Sequence, residues 1–275
     1  MLVVLFAAVL HASWNAIIKA GSDKFADTVL VAIGAAIIPG FLLPLIPLPA
    51  PSSWPYLAAS VVIHFGYFSL VALAYRAGDL SYAYPIMRGL APMLTALGAG
   101  FMVDEPLSIG GKIGILLLCS GILTLTSDSW WSGKVGFAPT AIGLTNAVVI
   151  SMYTLVDGIG LRLAGKPESY ICWLFFLTPL PFLVLSLLRQ PQFFTAQLKS
   201  RWSAGLLGGL CTFTSYGLAL YAMAHIPIAL VAALRETSVI FGTIIAAVFL
   251  RERFGPIRYV AAGLVTAGAV AMKLL

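Results

Sequence analysis

The chain has 275 residues, of which 60% are hydrophobic and 9% charged, with a formal net charge of +6 and a mean hydropathy of +1.00. Soluble domains carry about 45–50% apolar and about 25% charged residues, so this composition excludes a soluble globular fold and makes lipid the solvent for most of the molecule. The basic residues lie mainly at the ends of apolar runs, where they read as orientation signals and not as a nucleic-acid surface.

A helix needs about 20 apolar residues to cross the hydrocarbon, and ten runs of that kind follow one another: Leu2–Ala20, Thr28–Leu48, Trp54–Ala77, Leu80–Val103, Ile109–Ser127, Phe137–Gly160, Tyr170–Leu188, Ser203–Ala224, Ile226–Leu250 and Pro256–Leu275. Short turn-forming connections such as Gly21-Ser22-Asp23 and Gly165-Lys166-Pro167 separate them. Runs such as Val29–Ile38 do not alternate polar and apolar residues, which excludes an outer-membrane barrel. No basic segment precedes Leu2, and the first run carries His11, Asn15 and Lys19, against a cleaved signal peptide. Cys119, Cys172 and Cys211 fall in three different runs without metal-ligand spacing. They read as small packing residues.

Ionisable and strongly polar residues inside a span cost about 2.5–3.5 kcal/mol each on insertion scales and need a partner, water or a substrate. Taken in chain order, the first run places His11, Asn15 and Lys19 on one stripe, with Trp14 beside it. His64 and Tyr67 follow in the third run, and Tyr84, Arg88 and Thr95 share a face of the fourth. Pro92 removes the bond that the Arg88 carbonyl would accept, which predicts a kink there. The sixth run carries Asn146, Tyr153 and Asp157, the seventh Trp173, the eighth Tyr216, and the ninth Arg235 with Ser238 one turn on.

Each of these has two readings. A histidine or aromatic on an apolar helix packs or anchors at the interface more often than it lines a path. Arg88 and Arg235 lie roughly 5 Å from the midplane, at 1.5 Å rise per residue, and suit a carboxylate through the planar guanidinium fork. They could equally pair inside the protein, Arg235 with Asp157 for example. Pro39-Gly40 and Pro179-Leu180-Pro181 interrupt the second and seventh runs at corresponding places, and Glu105 and Glu252 follow the fourth and ninth. These are the expected hinge and gating positions, together with Pro92.

The chain also repeats itself. Arg88, Ala99, Glu105 and Gly121 fall on Arg235, Ala246, Glu252 and Gly268 in one register, and a slightly shorter register sets Ser13-Trp14-Asn15 on Ser151-Met152-Tyr153. The expected division is residues 1–127 and 128–275. Five spans per copy is odd, so the second copy enters the membrane from the opposite side, the inverted architecture of many secondary transporters.

With Leu10-His11-Ala12-Ser13-Trp14-Asn15-Ala16-Ile17-Ile18-Lys19, the Arg88-to-Glu105 stretch and its Arg235-to-Glu252 counterpart, the whole chain resembles the ten-helix EamA branch of the drug/metabolite transporter superfamily. The resemblance implies an all-α integral membrane protein of the cell (inner) membrane that exports a small metabolite, neutral or aromatic amino acids first. Nucleotide sugars, phosphorylated compounds and cationic drugs are the alternatives among more distant relatives. It implies no cofactor, no metal and no nucleic-acid partner, only a small-molecule substrate and the bilayer, with a monomer sufficient. The small four-helix exporters of the superfamily couple to protons through a carboxylate in their first helix, and the first run here has none.

Odd-numbered connections carry ten Lys and Arg residues, against four in the even-numbered connections and termini. The positive-inside rule then sets both termini outside the cytoplasm, whereas relatives in the superfamily are usually drawn with both inside. An intramembrane enzyme is the rival class, but GxSxG, HExxH, Walker A and paired-carboxylate patterns are missing from the sequence. A channel is the third.

Overall fold

The computed structural model describes residues 1–21, 23–76, 80–127, 136–189, 191–241 and 256–274. Glu252 and the end of the ninth run lie outside the described residues, as does the side chain of Lys19. The described residues form helices α1 (Leu2–Lys19), α2 (Lys24–Leu42), α3 (Trp54–Arg76), α4 (Leu80–Met102), α5 (Ile109–Thr124), α6 (Phe137–Leu163), α7 (Pro167–Leu177), α8 (Leu180–Arg189), α9 (Pro191–Met223), α10 (Ile228–Arg235) and α11 (Pro256–Leu274). Six described segments are long and apolar enough to cross a membrane, and Leu2–Ile18 and Ile109–Thr124 are shorter apolar helices. Phe101 and Phe137 are about nine-tenths exposed, at 90% and 91%. Lipid accounts for such faces where water does not.

Local chemistry sets several helix ends. Asp23 accepts the Ala26 amide to start α2, Ser108 accepts the Gly111 amide to start α5, and Pro167 opens α7 at a position where a missing N–H costs nothing. Gly165 takes φ +79° between α6 and α7, a conformation that favours glycine.

Three predicted spans differ in detail. The seventh begins at Pro167 and divides into α7 and α8 around Thr178-Pro179, since Pro179 and Pro181 cannot donate to the preceding turn. Pro39 does not act in the same way: α2 runs through it to Leu42 and tightens into a 3₁₀ turn at Leu43–Leu45, so the two proline sites are not equivalent breaks. The eighth starts early, because residues from Pro191 continue helically up to Arg201, whose non-helical backbone (φ −127°, ψ 21°) separates this segment from the membrane helix. The ninth is interrupted after Arg235 by a turn at Glu236-Thr237 and is helical again over 238–241, where the described part of it ends. Pro85 and Pro92 both sit within an unbroken α4.

The packing joins the first half of the chain to the second. The α5–α11, α2–α9, α4–α6, α1–α9 and α3–α6 interfaces are the most extensive. Small residues permit the closest of them, as expected where lipid offers no hydrophobic drive between helices. A Cβ on Gly34 would lie 2.2 Å from the Gly205 carbonyl oxygen, and one on Gly209 would lie 2.3 Å from the Gly34 carbonyl carbon. Gly114 and Gly268 meet each other's backbone in the same way across α5 and α11, at 2.7 and 2.6 Å. Backbone cannot give way as a side-chain tip can, so Gly34→Ala will lower the melting temperature of the purified protein. Gly66→Ala, which meets nothing within 4 Å, will lower it less.

Candidate functional site

A cavity of about 770 Å³, mouth included, lies between α1, α2, α3, α4, α6, α7, α9 and α10. Its polar wall is made by Arg88 and Arg235 with Thr28, Thr178 and Thr212, and its aromatic wall by Trp14, His11, His64, Tyr67, Phe68, Tyr153, Phe175 and Tyr216. The lining runs from Tyr153 and Arg235 to Thr28, one turn into α2. A smaller adjoining cavity shares Thr28, Ala32 and Phe68 and continues past Lys24 and Phe182, away from the end of the bundle that holds Met1.

Eight of the twelve residues expected to contact substrate line this cavity: His11, Trp14, His64, Tyr67, Arg88, Tyr153, Tyr216 and Arg235. Pro179 lines it too. The other four are placed elsewhere. Asn15 turns back to donate to the His11 carbonyl (2.8 Å). Trp173 packs edge-on against Trp54, ring centroids 5.1 Å apart. Ser238 is buried beyond the end of α10, and Tyr84 is half-buried against the core. Along the predicted α4 face, Arg88 alone reaches the cavity, since Thr95 donates to the Ala91 carbonyl (2.8 Å).

The charges inside are arranged in two groups. Arg88 and Glu236 form an ion pair, Nε to Oε2 2.7 Å, with side chains 2% and 5% exposed. The contact is close but not an aligned hydrogen bond: Arg88 Nε and Nη2 and Glu236 Oε2 have no hydrogen-bond partner. Arg235 lies over the Tyr216 ring, its Cζ 4.5 Å from the centroid, a cation–π contact, and its Nε also has no partner. Asp157 does not pair with Arg235. Both of its oxygens are taken by hydroxyls, Oδ1 by Tyr170 (3.0 Å) and Oδ2 by Tyr216 (2.6 Å). Tyr216 thus ties the carboxylate to the ring on which Arg235 rests.

Aromatic contacts order the rest of the wall. His64 stacks on Tyr153 (4.4 Å between centroids) and is anchored through Nδ1 to Ser60, while Trp14 Nε1 donates to His11 Nδ1 at 3.3 Å. Among the described residues, groups of three or more His, Cys, Asp or Glu that could hold a metal ion do not occur.

Glu236 is the central residue that sequence reasoning passed over. Its signal was available: two adjacent ionisable residues in one apolar run need more than one partner. The local fold explains its position. Glu236 and Thr237 end α10 with 3₁₀-type bonds, the Glu236 amide to the Ala233 carbonyl (2.9 Å) and the Thr237 amide to the Leu234 carbonyl (3.2 Å). Tightened turns of this kind inside a longer helix are often hinges or points of strain.

At the Met1 end the bundle is tied shut by a second pair. Asp104 adopts the left-handed conformation (φ 49°), uncommon outside glycine but tolerated by aspartate, and turns Glu105 inward. Glu105 Oε1 meets Arg162 Nη2 at 2.5 Å, and Oε2 accepts the Ile228 amide at 2.8 Å, at the N-terminus of α10. Arg162 also donates to the carbonyls of Met223 (2.9 Å) and Ile226 (3.2 Å). One carboxylate and one guanidinium thereby fasten the ends of α4, α6, α9 and α10. At the opposite end Arg201, at the break in α9, donates to Asp27 Oδ1 of α2 at 2.6 Å.

Among curated proteins none matches the chain. A solved crystal structure superposes with a TM-score of 0.75 over 98% of this chain and 97% of its own, at 20% sequence identity, a likeness of fold. Residues 140–274 match the EamA-like transporter family. With its apolar helices and buried polar interior, the chain is therefore a multi-pass membrane protein, helical throughout its described core, whose residues 140–274 are similar to the EamA-like transporter family.

Proposed function

We propose that this protein carries a small carboxylate-bearing metabolite across the cell membrane, neutral and aromatic amino acids first, by alternating access through the central cavity. The observation that carries the reading is the pair of guanidiniums with unmet donor atoms, Arg88 Nη2 and Arg235 Nε, on a cavity otherwise walled by aromatic rings. Guanidinium donors suit a carboxylate, and the rings suit an apolar or aromatic side chain.

The inverted-repeat reading is supported by how the interfaces exchange. If each of the first five spans corresponds to the span five later, the α1–α9 contact becomes α6–α3 and the α5–α11 contact maps onto itself, whereas the α2–α9 and α4–α6 contacts map onto the slighter α3–α7 and α1–α10 ones. Cavity and ion pairs then lie between halves 1–127 and 128–275, where rocking of one half on the other gives access to each side in turn. The basic connections favour the face toward which the cavity runs as cytoplasmic, which makes this state the loading state of an exporter. Asp157 is satisfied by two tyrosines and the first span has no acid, so movement down the substrate's own gradient is the simplest mode.

Reconstituted into liposomes, the full chain will take up radiolabelled phenylalanine and leucine saturably, with little response to an imposed pH gradient. Linear, unsaturable flux would indicate a channel. Flux of a phosphorylated or cationic compound without any amino-acid flux would move the substrate to that class.

A further inference from the structure

We infer that Glu236 is an internal stand-in for the substrate carboxylate: it occupies Arg88 while the cavity is empty, and the incoming carboxylate displaces it. This rests on the reading of the cavity as a carboxylate site.

Three features support it. First, the Arg88–Glu236 contact is made edge-on through Nε and leaves Nη2 of the same guanidinium without a partner, although both side chains are buried. A permanent structural pair in this setting is held by aligned, two-pronged bonding, because the cost of desolvating both ions is recovered only with good geometry. Second, the donors left open belong to both arginines that wall the cavity. A ligand carboxylate can therefore gain what Glu236 does not use. Third, Glu236 stands on the 3₁₀ turn that ends α10, next to Arg235, so a small rotation of that turn withdraws the carboxylate from Arg88 and shifts Arg235 with it. Occupancy of the site is thereby linked to the conformation of α10, whose other end is fastened by Glu105 and Arg162.

An internal competitor lowers apparent affinity by the fraction of time that it leaves the site open. Removing its charge while keeping its shape should therefore tighten carboxylate binding specifically. The test measures thermal stabilisation of the purified full chain by phenylalanine, phenylacetate and phenylalaninamide, in the wild type and in Glu236→Gln. The expected result is a half-saturating concentration about tenfold lower for phenylalanine and phenylacetate in the variant, with no gain for the amide, which lacks the carboxylate.

Two results overturn the inference while leaving the carboxylate site intact. Equal half-saturation in both proteins would show that Glu236 does not compete. Weaker binding of phenylalanine with unchanged phenylacetate would make Glu236 a receptor for the ammonium group instead. A panel in which no carboxylate protects either protein overturns the underlying reading as well. Should Glu236→Gln not fold, Glu236→Asp carries the same comparison: its shorter side chain retreats from Arg88, so a half-saturation equal to the wild type's for both carboxylates refutes displacement.

Discussion

Arg88→Lys will fold with a melting temperature near that of the wild type but lose at least nine-tenths of the saturable amino-acid flux in liposomes. The ammonium keeps the charge opposite Glu236, but it is a point donor and cannot present two parallel N–H groups to a substrate carboxylate. Arg88→Leu will behave differently. It strands Glu236 among buried groups, and removing one member of a buried ion pair costs about 3–5 kcal/mol. Thermal stability will fall accordingly, and the double variant Arg88→Leu/Glu236→Leu will regain most of it, because replacing both ions by apolar groups is often neutral or better. Flux will stay absent in the double variant. Unchanged flux in Arg88→Lys would rule out the carboxylate clamp.

The second large effect concerns the closed end. Arg162→Ala removes one charged partner of Glu105 and two bonds to the carbonyls of Met223 and Ile226. Hydrogen bonds to charged groups are each worth about 1.5–3 kcal/mol, so the ends of α4, α6, α9 and α10 will separate more readily. A single cysteine placed at Val231, which is buried one turn inside the fastening, reports this directly. An impermeant maleimide will label it slowly in an otherwise wild-type, cysteine-free background and at least tenfold faster with Arg162→Ala. Equal labelling would show that the Met1 end is held by apolar packing and not by this pair.

The spans were legible because hydrocarbon thickness sets a length that a sequence can be scanned for, and most predicted runs fall within a few residues of the observed helices. What escaped was any departure that composition does not mark. The α7–α8 break is announced by Pro179 and Pro181, whereas the end of α10 at Glu236 has neither proline nor glycine beside it. The helical stretch before Arg201 is too polar for a span and too short to show itself otherwise. In the site, much of the aromatic wall could be read because Trp14, Tyr67 and Tyr216 lie away from span ends and Tyr153 shares a stripe with Asp157, although the same criterion also picked Trp173, which packs on Trp54 instead. The charge pairs could not. Arg88 finds Glu236 on a distant helix, and Asp157 finds Tyr170 and Tyr216, partners that sequence spacing alone does not bring together. Asp157 was expected as a possible partner of Arg235, yet two hydroxyls satisfy it.

The cross-half packing also bears on how the molecule is made. Asp27 lies near the start of the second span, and its guanidinium partner is Arg201, 174 residues later. The Ala7 carbonyl accepts a bond from Ser215 at 2.6 Å, a separation of 208 residues. At a synthesis rate of about 5–20 residues per second, the first two helices enter the bilayer roughly ten seconds or more before α9 exists to receive them. During that interval the Asp27 carboxylate waits without its final neighbour. The nascent chain is then most dependent on the insertion machinery or on a membrane chaperone. A fragment ending after α5 will be a target for membrane proteases, since each of its helices has lost its main neighbour.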